Sequence, residues 1–318
     1  MAIGLLTSGG DAPGMNAAIR AVVRSAVYEN KEVVGIRNGF AGIFDEDAYA
    51  MDLSSVADII HRGGTILGTS RSEKMREDAG PAEAKKHLDA MSIEHLVVIG
   101  GDGSMRGALA LSDEGQSVIT IPATIDNDLG YQHGSIGFYT AIETILDAIG
   151  KIRDTSSAHK RANIVEVMGR HCGDLALYAG IAGGAESVIL PEVDFDFDEV
   201  KKKMLAGKLR GKRHHIILLT EDKLSAYALA RDLEEATAIE TRVTILGYVQ
   251  RGGIPTGTDR INASRLGAEA VNYCFGEKKS LALGLKGGKM LAMDLKEALA
   301  VEKTFGRDLY HLVDKISI

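Results

Sequence analysis

Leu96-Val97-Val98-Ile99-Gly100-Gly101-Asp102-Gly103-Ser104 is the stretch that decides the fold. Four consecutive aliphatic residues read as a strand buried on both faces, because a strand with one wet face would alternate apolar and polar positions. The glycines end that strand in a tight turn, and the chain beyond opens a helix. The N-terminus has the same grammar. Ile3-Gly4-Leu5-Leu6 reads as a strand, and Ser8-Gly9-Gly10-Asp11-Ala12-Pro13-Gly14 as a glycine-rich turn. Ile19, Val22, Val23, Ala26 and Val27 then share one helical face.

Working outward, aliphatic runs at 33–36 and 118–121 read as further strands, and a long helix is expected over about 139–153. Beyond it, strands are expected at 163–167, 188–190, 216–219 and 243–246, with helices at 174–182, 199–206, 226–236 and 259–275. Aliphatic strands alternating with helices predict parallel sheets covered on both faces. A chain of 318 residues is too long for one ordinary domain. The expected class is therefore α/β, with two Rossmann-like three-layer α/β/α lobes and mostly parallel sheets.

Composition narrows the function. Hydrophobic residues make up 45% and charged residues 25%, enough for a sizeable core. Glycine occurs 37 times and proline 5 times, which predicts many tight strand-to-helix turns where backbone meets ligand. A net charge of −7 argues against non-specific nucleic-acid binding but not against an anionic small molecule, since local arginines can override the global sign. Two cysteines, Cys172 and Cys274, are too few for a disulfide framework and point to a reducing cytoplasm. The segment MAIGLLTSGGD lacks the features of a signal peptide, and no apolar run is long enough to span a bilayer.

The chemistry-bearing residues are expected just after the strands, where open α/β sheets bind ligands. Gly9-Gly10-Asp11 and Gly100-Gly101-Asp102-Gly103-Ser104 suit phosphate contact at a helix N-terminus, or simple tight turns. Asp102 and Ser104 are hard oxygen donors fit for Mg²⁺ carried with a nucleotide. With Gly107 the second loop reads GxGxxxG, one residue off the dinucleotide fingerprint, so a nicotinamide dehydrogenase stays open. In Thr124-Ile125-Asp126-Asn127-Asp128, alternation in an extended segment would put both acids on one side, where a kinase needs a base and acids near its metal; an Asx-type turn is the plainer alternative. Arg170, in Met168-Gly169-Arg170-His171-Cys172-Gly173-Asp174, could grip a phosphate, and Arg71, Arg161, Arg242 and Arg251 are further basic candidates. Cys172 reads as a packing residue and His214-His215 as a solvated or partly packed pair. The nine histidines have no metalloenzyme spacing.

Together these motifs resemble, in order and spacing, the bacterial ATP-dependent 6-phosphofructokinase family over nearly the whole chain. The resemblance implies a larger ATP-binding lobe over 1–137 plus 255–304 and a smaller fructose 6-phosphate-binding lobe over 138–254 plus 305–318. It implies that Asp126 is the general base on the sugar 1-hydroxyl. Arg71, Thr124 and the Gly10 amide would serve the transferring phosphoryl group, and Arg170 would join the catalytic set from the sugar side. Gly10, Arg71, Ser72, Gly101, Asp102, Gly103 and Ser104 would bind ATP, with Asp102 positioning Mg²⁺. Thr124, Ile125, Asp126, Asp128, Met168, Gly169, Arg170, Glu221, Tyr248 and Arg251 would hold fructose 6-phosphate, and Arg161 and Arg242 would reach in from a neighbouring subunit of a homotetramer. An effector site for ADP or phosphoenolpyruvate would comprise Arg20, Arg24, Asp58, Arg153, Gly184, Glu186, Arg210, Lys212, Arg213 and His214.

Pyrophosphate-using relatives typically carry an acid at the position of Gly103 and a lysine at that of Ala123, so these two residues point to ATP. Tyr248 stands where the family usually has histidine, Phe40 where it often has tyrosine, and Asp222 where glycine is usual. Those departures keep tagatose 6-phosphate and sedoheptulose 7-phosphate open as substrates. A non-catalytic sugar-phosphate or nucleotide sensor is a further alternative, against which the full set Asp102, Asp126, Asp128 and Arg71 argues.

Overall fold

The computed structural model describes residues 2–276 and 280–317. The outermost residues of the expected lobes, Met1 and Ile318, lie outside that set. The strands in chain order are β1 (Ala2–Thr7), β2 (Glu32–Ile36), β3 (Ala48–Met51), β4 (Ile93–Gly100), β5 (Ser117–Pro122) and β6 (Ala162–Val167). They continue with β7 (Ser187–Ile189), β8 (His215–Thr220), β9 (Thr241–Ile245), β10 (Ser280–Lys286) and β11 (Lys289–Asp294). The helices are α1 (Met15–Tyr28), α2 (Ala41–Phe44), α3 (Gly80–Ala90), α4 (Asp102–Asp113), α5 (Phe138–His159) and α6 (Asp174–Gly183). After them come α7 (Phe197–Leu209), α8 (Ala226–Thr237), α9 (Gly257–Cys274), α10 (Leu295–Ala300) and α11 (Arg307–Ile316).

The chain divides into two compact units. The first holds 1–125, 129–140 and 251–303; the second holds 126–128, 141–250 and 304–318. The chain thus crosses after Thr140, Gln250 and Lys303 where the resemblance implies crossings after 137, 254 and 304, and residues 126–128 belong to the second unit.

In the first unit a seven-stranded sheet runs β11-β10-β5-β4-β1-β2-β3. Its inner strands pair in parallel, and the short edge strand β3 and the β10–β11 hairpin add antiparallel borders. Leu6, Leu96, Val98 and Val118 bury their side chains with Met105 and Leu111 of α4, Leu88 of α3 and Leu295 of α10. Helices α1 and α9 pack on each other closely enough that a Cβ on Gly267 would lie 2.7 Å from the Ala18 carbonyl oxygen. Ile19, Val22, Val23 and Ala26 are buried as the helical face requires, with Val27 partly so.

The second unit is a four-stranded, all-parallel sheet, β7-β8-β6-β9. Ile164, Ile189, Ile217 and Leu219 pack beneath Val200 and Met204 of α7 and Leu229 and Leu233 of α8. The expected α/β class with mostly parallel sheets is therefore observed. The hairpin β10–β11 had no counterpart in the sequence reading. His214-His215 is corrected too: His215 is the first residue of β8 and is buried, while only His214 is partly exposed.

Candidate active site

In the first unit the motif residues converge at the carboxyl ends of β1, β4 and β5. Register pairs Thr7 with Ile99 and Gly100 with Pro122, so the three strand ends stand side by side. The Ser8 N–H donates to the Ile99 carbonyl (3.0 Å), and the Ala123 N–H to that of Gly100 (2.9 Å). A Cβ on Gly100 would fall 2.4 Å from Ser104 Oγ and 2.6 Å from the Ser8 carbonyl oxygen. This glycine is thus required for the two glycine loops to touch. A Cβ on Gly101 would sit 3.2 Å from Thr124 Cβ, which brings the third motif to the same place.

Gly103 is different. It lies inside α4, and nothing stands within 4 Å of where its Cβ would be. As the second residue of α4 it stands in the first turn, where glycine is still a poorer helix former than alanine, so neither packing nor propensity explains this residue. Ser104 Oγ is buried and has no hydrogen-bond partner among the described residues. Asp102 opens α4, and its Oδ2 accepts a hydrogen bond from Arg106 Nε (2.8 Å), which holds the Arg106 pKa above its usual value. Open room at Gly103, an orphaned hydroxyl at Ser104 and an all-oxygen donor pair fit a Mg²⁺–phosphate group, since Mg²⁺ takes one or two protein oxygens and fills its shell with water and phosphate. Phe40 is buried beneath α4; a Cβ on Gly107 would reach 2.8 Å from its ring.

Arg251 also stands in this unit. Its guanidinium lies 3.3 Å from the place a Gly10 Cβ would occupy, beside the first glycine loop. Arg71 is exposed, on a segment tied down by Thr69, whose hydroxyl donates to the Gly9 carbonyl (2.6 Å). Ser72 Oγ accepts from the Met75 N–H (3.4 Å).

In the second unit residues 126–128 dock on the turn after β6. Asn127 Nδ2 donates to Asp174 Oδ2 (2.7 Å), and the Cys172 thiol points to the Asn127 carbonyl (3.8 Å). Asn127 has φ 55°, a left-handed conformation that asparagine tolerates better than most residues. The segment is therefore not extended, and the alternation argument for Asp126 and Asp128 is overturned: Asp126 is half-buried, Asp128 exposed. Gly169 has φ 137°, and a Cβ there would fall 2.4 Å from the Cys172 carbonyl oxygen. Arg170 follows at φ 51°, so the turn is held against local preference. The sequence reading gave no reason for Gln250. Fully buried, it accepts from the Met168 N–H (3.2 Å) and donates to the Gly247 carbonyl (2.9 Å), which fixes the same turn.

Glu221 follows β8, and its N–H donates to the Val167 carbonyl (2.8 Å). Asp222 adopts φ 62°, which gives a physical reason for glycine at that position. Burial first, then the charges of Glu221 and Asp222, raise the pKa of Glu166. Tyr248 is 78% exposed. Arg161 and Arg242 lie at the other end of this sheet. Arg161 precedes β6, Arg242 is the second residue of β9, and both bind Glu240, with Arg161 Nε to Glu240 Oε2 at 2.6 Å. The length of β6, roughly 20 Å at 3.3 Å per residue, separates Arg161 from Met168.

Of the expected effector residues, five gather in the second unit. Buried Glu186 pairs with Lys212 Nζ (2.6 Å), has His214 Nε2 at 3.9 Å, and accepts from the Ile216 N–H. Arg153 reaches the carbonyls of Gly183 and Gly184. Burial lowers the His214 pKa, against the pull of Glu186. Arg210 and Arg213 are exposed nearby in sequence, and Arg20, Arg24 and Asp58 belong to the first unit.

Residues 2–274 match the phosphofructokinase family model. The chain is 54% identical to the ATP-dependent 6-phosphofructokinase of Alkaliphilus metalliredigens and 56% identical to that of Clostridioides difficile, over 99% of each chain. Among solved structures it resembles phosphofructokinase from Saccharomyces cerevisiae, with TM-score 0.90 and 32% identity, covering 98% of this chain and 50% of the yeast chain. It also shares its fold with a pyrophosphate-dependent phosphofructokinase from Marinobacter aquaeolei, with TM-score 0.85 and 21% identity, covering 98% of this chain and 91% of the other.

Proposed function

The chain belongs to the phosphofructokinase family, and from that premise we propose that it transfers the γ-phosphoryl group of ATP to the 1-hydroxyl of fructose 6-phosphate, giving fructose 1,6-bisphosphate and ADP. The dehydrogenase alternative is set aside with it. Identity above one half to full-length relatives named for that reaction supports the reading. The observation that carries the choice of donor is Gly103: a helix position left without a side chain although the protein fills none of the space. A nucleotide uses that space, and an acid there would crowd and repel it.

Asp126 takes the proton of the sugar 1-hydroxyl as it attacks. Arg71, Thr124 and the Gly10 amide stabilise charge on the phosphoryl group in transit, with Arg170 steadying the reacting end of the sugar. Removing one such donor typically costs a factor of 10² to 10³ in turnover. Gly101 to Ser104 and Ser72 hold the nucleotide. Mg²⁺, held with ATP by Asp102, would neutralise the phosphate oxygens. Ile125, Asp128, Met168, Gly169, Glu221, Tyr248 and Arg251 complete the sugar-phosphate contacts.

Arg161 and Arg242 sit too far from Met168–Arg170 along β6 to serve the same subunit's sugar, which supports their acting on a neighbouring copy in a homotetramer. The cluster of Arg153, Gly184, Glu186, Lys212 and His214, with Arg210 and Arg213 of the same unit, is the proposed half-site for ADP or phosphoenolpyruvate at a subunit interface, to which Arg20, Arg24 and Asp58 of a neighbouring copy would contribute. No helix among the described residues is long and apolar enough to cross a membrane; a cytoplasmic location is the proposal.

The test is ADP release by the purified protein with Mg-ATP, with and without fructose 6-phosphate, and fructose 1,6-bisphosphate formation with pyrophosphate in place of ATP. Fast, sugar-dependent release with ATP alone is expected. Because of Asp222 and Tyr248, tagatose 6-phosphate and sedoheptulose 7-phosphate belong in the same assay, and a higher kcat/KM for either would reassign the sugar.

A further inference from the structure

Asn16 lies two residues beyond the first glycine-rich turn, yet nothing in the reaction uses it. It is the second residue of α1 and is 1% exposed. Its carboxamide is fully engaged. Nδ2 donates to the carbonyls of Arg62 and Gly63, each at 3.1 Å, and Oδ1 accepts from the Ile66 N–H at 2.8 Å. All three partners lie on one segment with no regular secondary structure, which runs on into Arg71 and Ser72.

The same segment is fastened further along. Thr7 Oγ1, at the end of β1, donates to the Gly68 carbonyl (2.8 Å) and lies 2.8 Å from Thr65 Oγ1. Thr69 holds the Gly9 carbonyl, Ser70 Oγ donates to the Asn38 carbonyl (2.7 Å), and the Asn38 N–H donates to the Leu67 carbonyl (2.8 Å). Gly63 meanwhile abuts the Arg251-Gly252-Gly253 turn, since a Cβ on it would fall 2.4 Å from the Gly253 carbonyl oxygen. An irregular loop has no ladder to hold it, so side-chain hydrogen bonds decide its path.

We propose that Asn16 is a positioning residue for phosphoryl transfer: it fixes the 62–66 stretch so that Arg71 is presented at the first glycine loop. This rests on the role proposed above for Arg71. The residue type follows from the demand for two donors and one acceptor on a short side chain. Aspartate supplies no donor and would set a carboxylate against two carbonyl oxygens; glutamine is one carbon too long.

The experiment is a double-mutant cycle in kcat with Asn16→Asp and Arg71→Ala, on protein whose fold is checked by circular dichroism and thermal unfolding. Arg71→Ala should lower kcat by roughly 10² to 10³, and Asn16→Asp by roughly 10². The double variant should be no slower than Arg71→Ala, because a loop without its arginine loses nothing by being misplaced. If Arg71→Ala leaves kcat intact, the role of Arg71 fails first. If Arg71→Ala is slow but the two effects multiply, or if folded Asn16→Asp turns over normally, the positioning role is overturned. Should Asn16→Asp not fold, Thr69→Val removes the partly exposed tie to Gly9 instead, and the same non-additivity with Arg71→Ala decides.

Discussion

Thr140 donates both its peptide N–H (2.8 Å) and its hydroxyl (2.5 Å) to Oδ2 of Asp259. The other oxygen of Asp259, Oδ1, accepts from the Gly137 N–H (3.0 Å), while the Thr256 hydroxyl donates to Oδ2 at 3.2 Å. A buried carboxylate of α9 thus caps the first turn of α5, beside the point where that helix leaves the first unit. Burial raises the Asp259 pKa while the donated hydrogen bonds oppose the rise. Asp259→Ala strands two peptide N–H groups, each worth roughly 1–3 kcal/mol when left unsatisfied. It should lower unfolding free energy by about 3 kcal/mol, and Asp259→Asn, which keeps an accepting oxygen, by clearly less. Urea unfolding of the three proteins measures both; equal losses would deny the cap.

Gly103 offers a change in which fold and function move apart. With open space at its Cβ position, Gly103→Ala should stabilise α4 by up to about 1 kcal/mol. The same methyl group would intrude on the nucleotide, raising KM for ATP, and Gly103→Asp should raise it further by charge repulsion, on the order of tenfold for each 1.4 kcal/mol lost. Thermal unfolding and ATP titration of kcat give the two readouts. A Gly103→Asp enzyme with unchanged ATP dependence would remove the argument for the donor.

Asp126→Asn preserves shape and removes the base. Turnover should fall by about 10² to 10⁴ while fructose 6-phosphate still protects the protein from thermal unfolding. The pairing of lost kcat with kept binding distinguishes a base from a residue that merely holds the sugar.

The sequence made the parallel core legible because strands buried on both faces are written as unbroken aliphatic runs, as at Leu96 to Ile99. The hairpin β10–β11 was missed because Gly284 and Ala282 interrupt its apolar signal; β10 is fixed by pairing with β5, Leu281 opposite Ile119. The Gly287-Gly288 turn between the strands, both residues at positive φ, was the cue available. Glycine motifs marked where ligands bind, but not the conformation between them. At Asn127 a left-handed residue replaced the extended run, and the reason, a bond to Asp174 47 positions away, is tertiary. Asn16 and Gln250 stand next to the first glycine turn and to Arg251, but what they hold was not legible, since their partners lie at remote positions in the chain.

His215 opens β8 in a buried position, and its Nε2 has no hydrogen-bond partner among the described residues. Burial brings its pKa from 6.5 down to about 4, Glu186 pulling it up and Lys212, Lys203 and His214 pushing it further down. The unfolded chain therefore binds the extra proton across that window, and stability falls as pH falls from 6.5 towards about 4. A shift of this size corresponds to about 3 kcal/mol once the window has been crossed. His215→Gln cannot take up the charge, so its urea midpoint should drop less than the wild-type midpoint between pH 7 and pH 4.5, on the same carboxylate background. Parallel midpoint curves for the two proteins would mean that His215 finds an acceptor on protonation and that the buried end of β8 carries no pH sensitivity of its own.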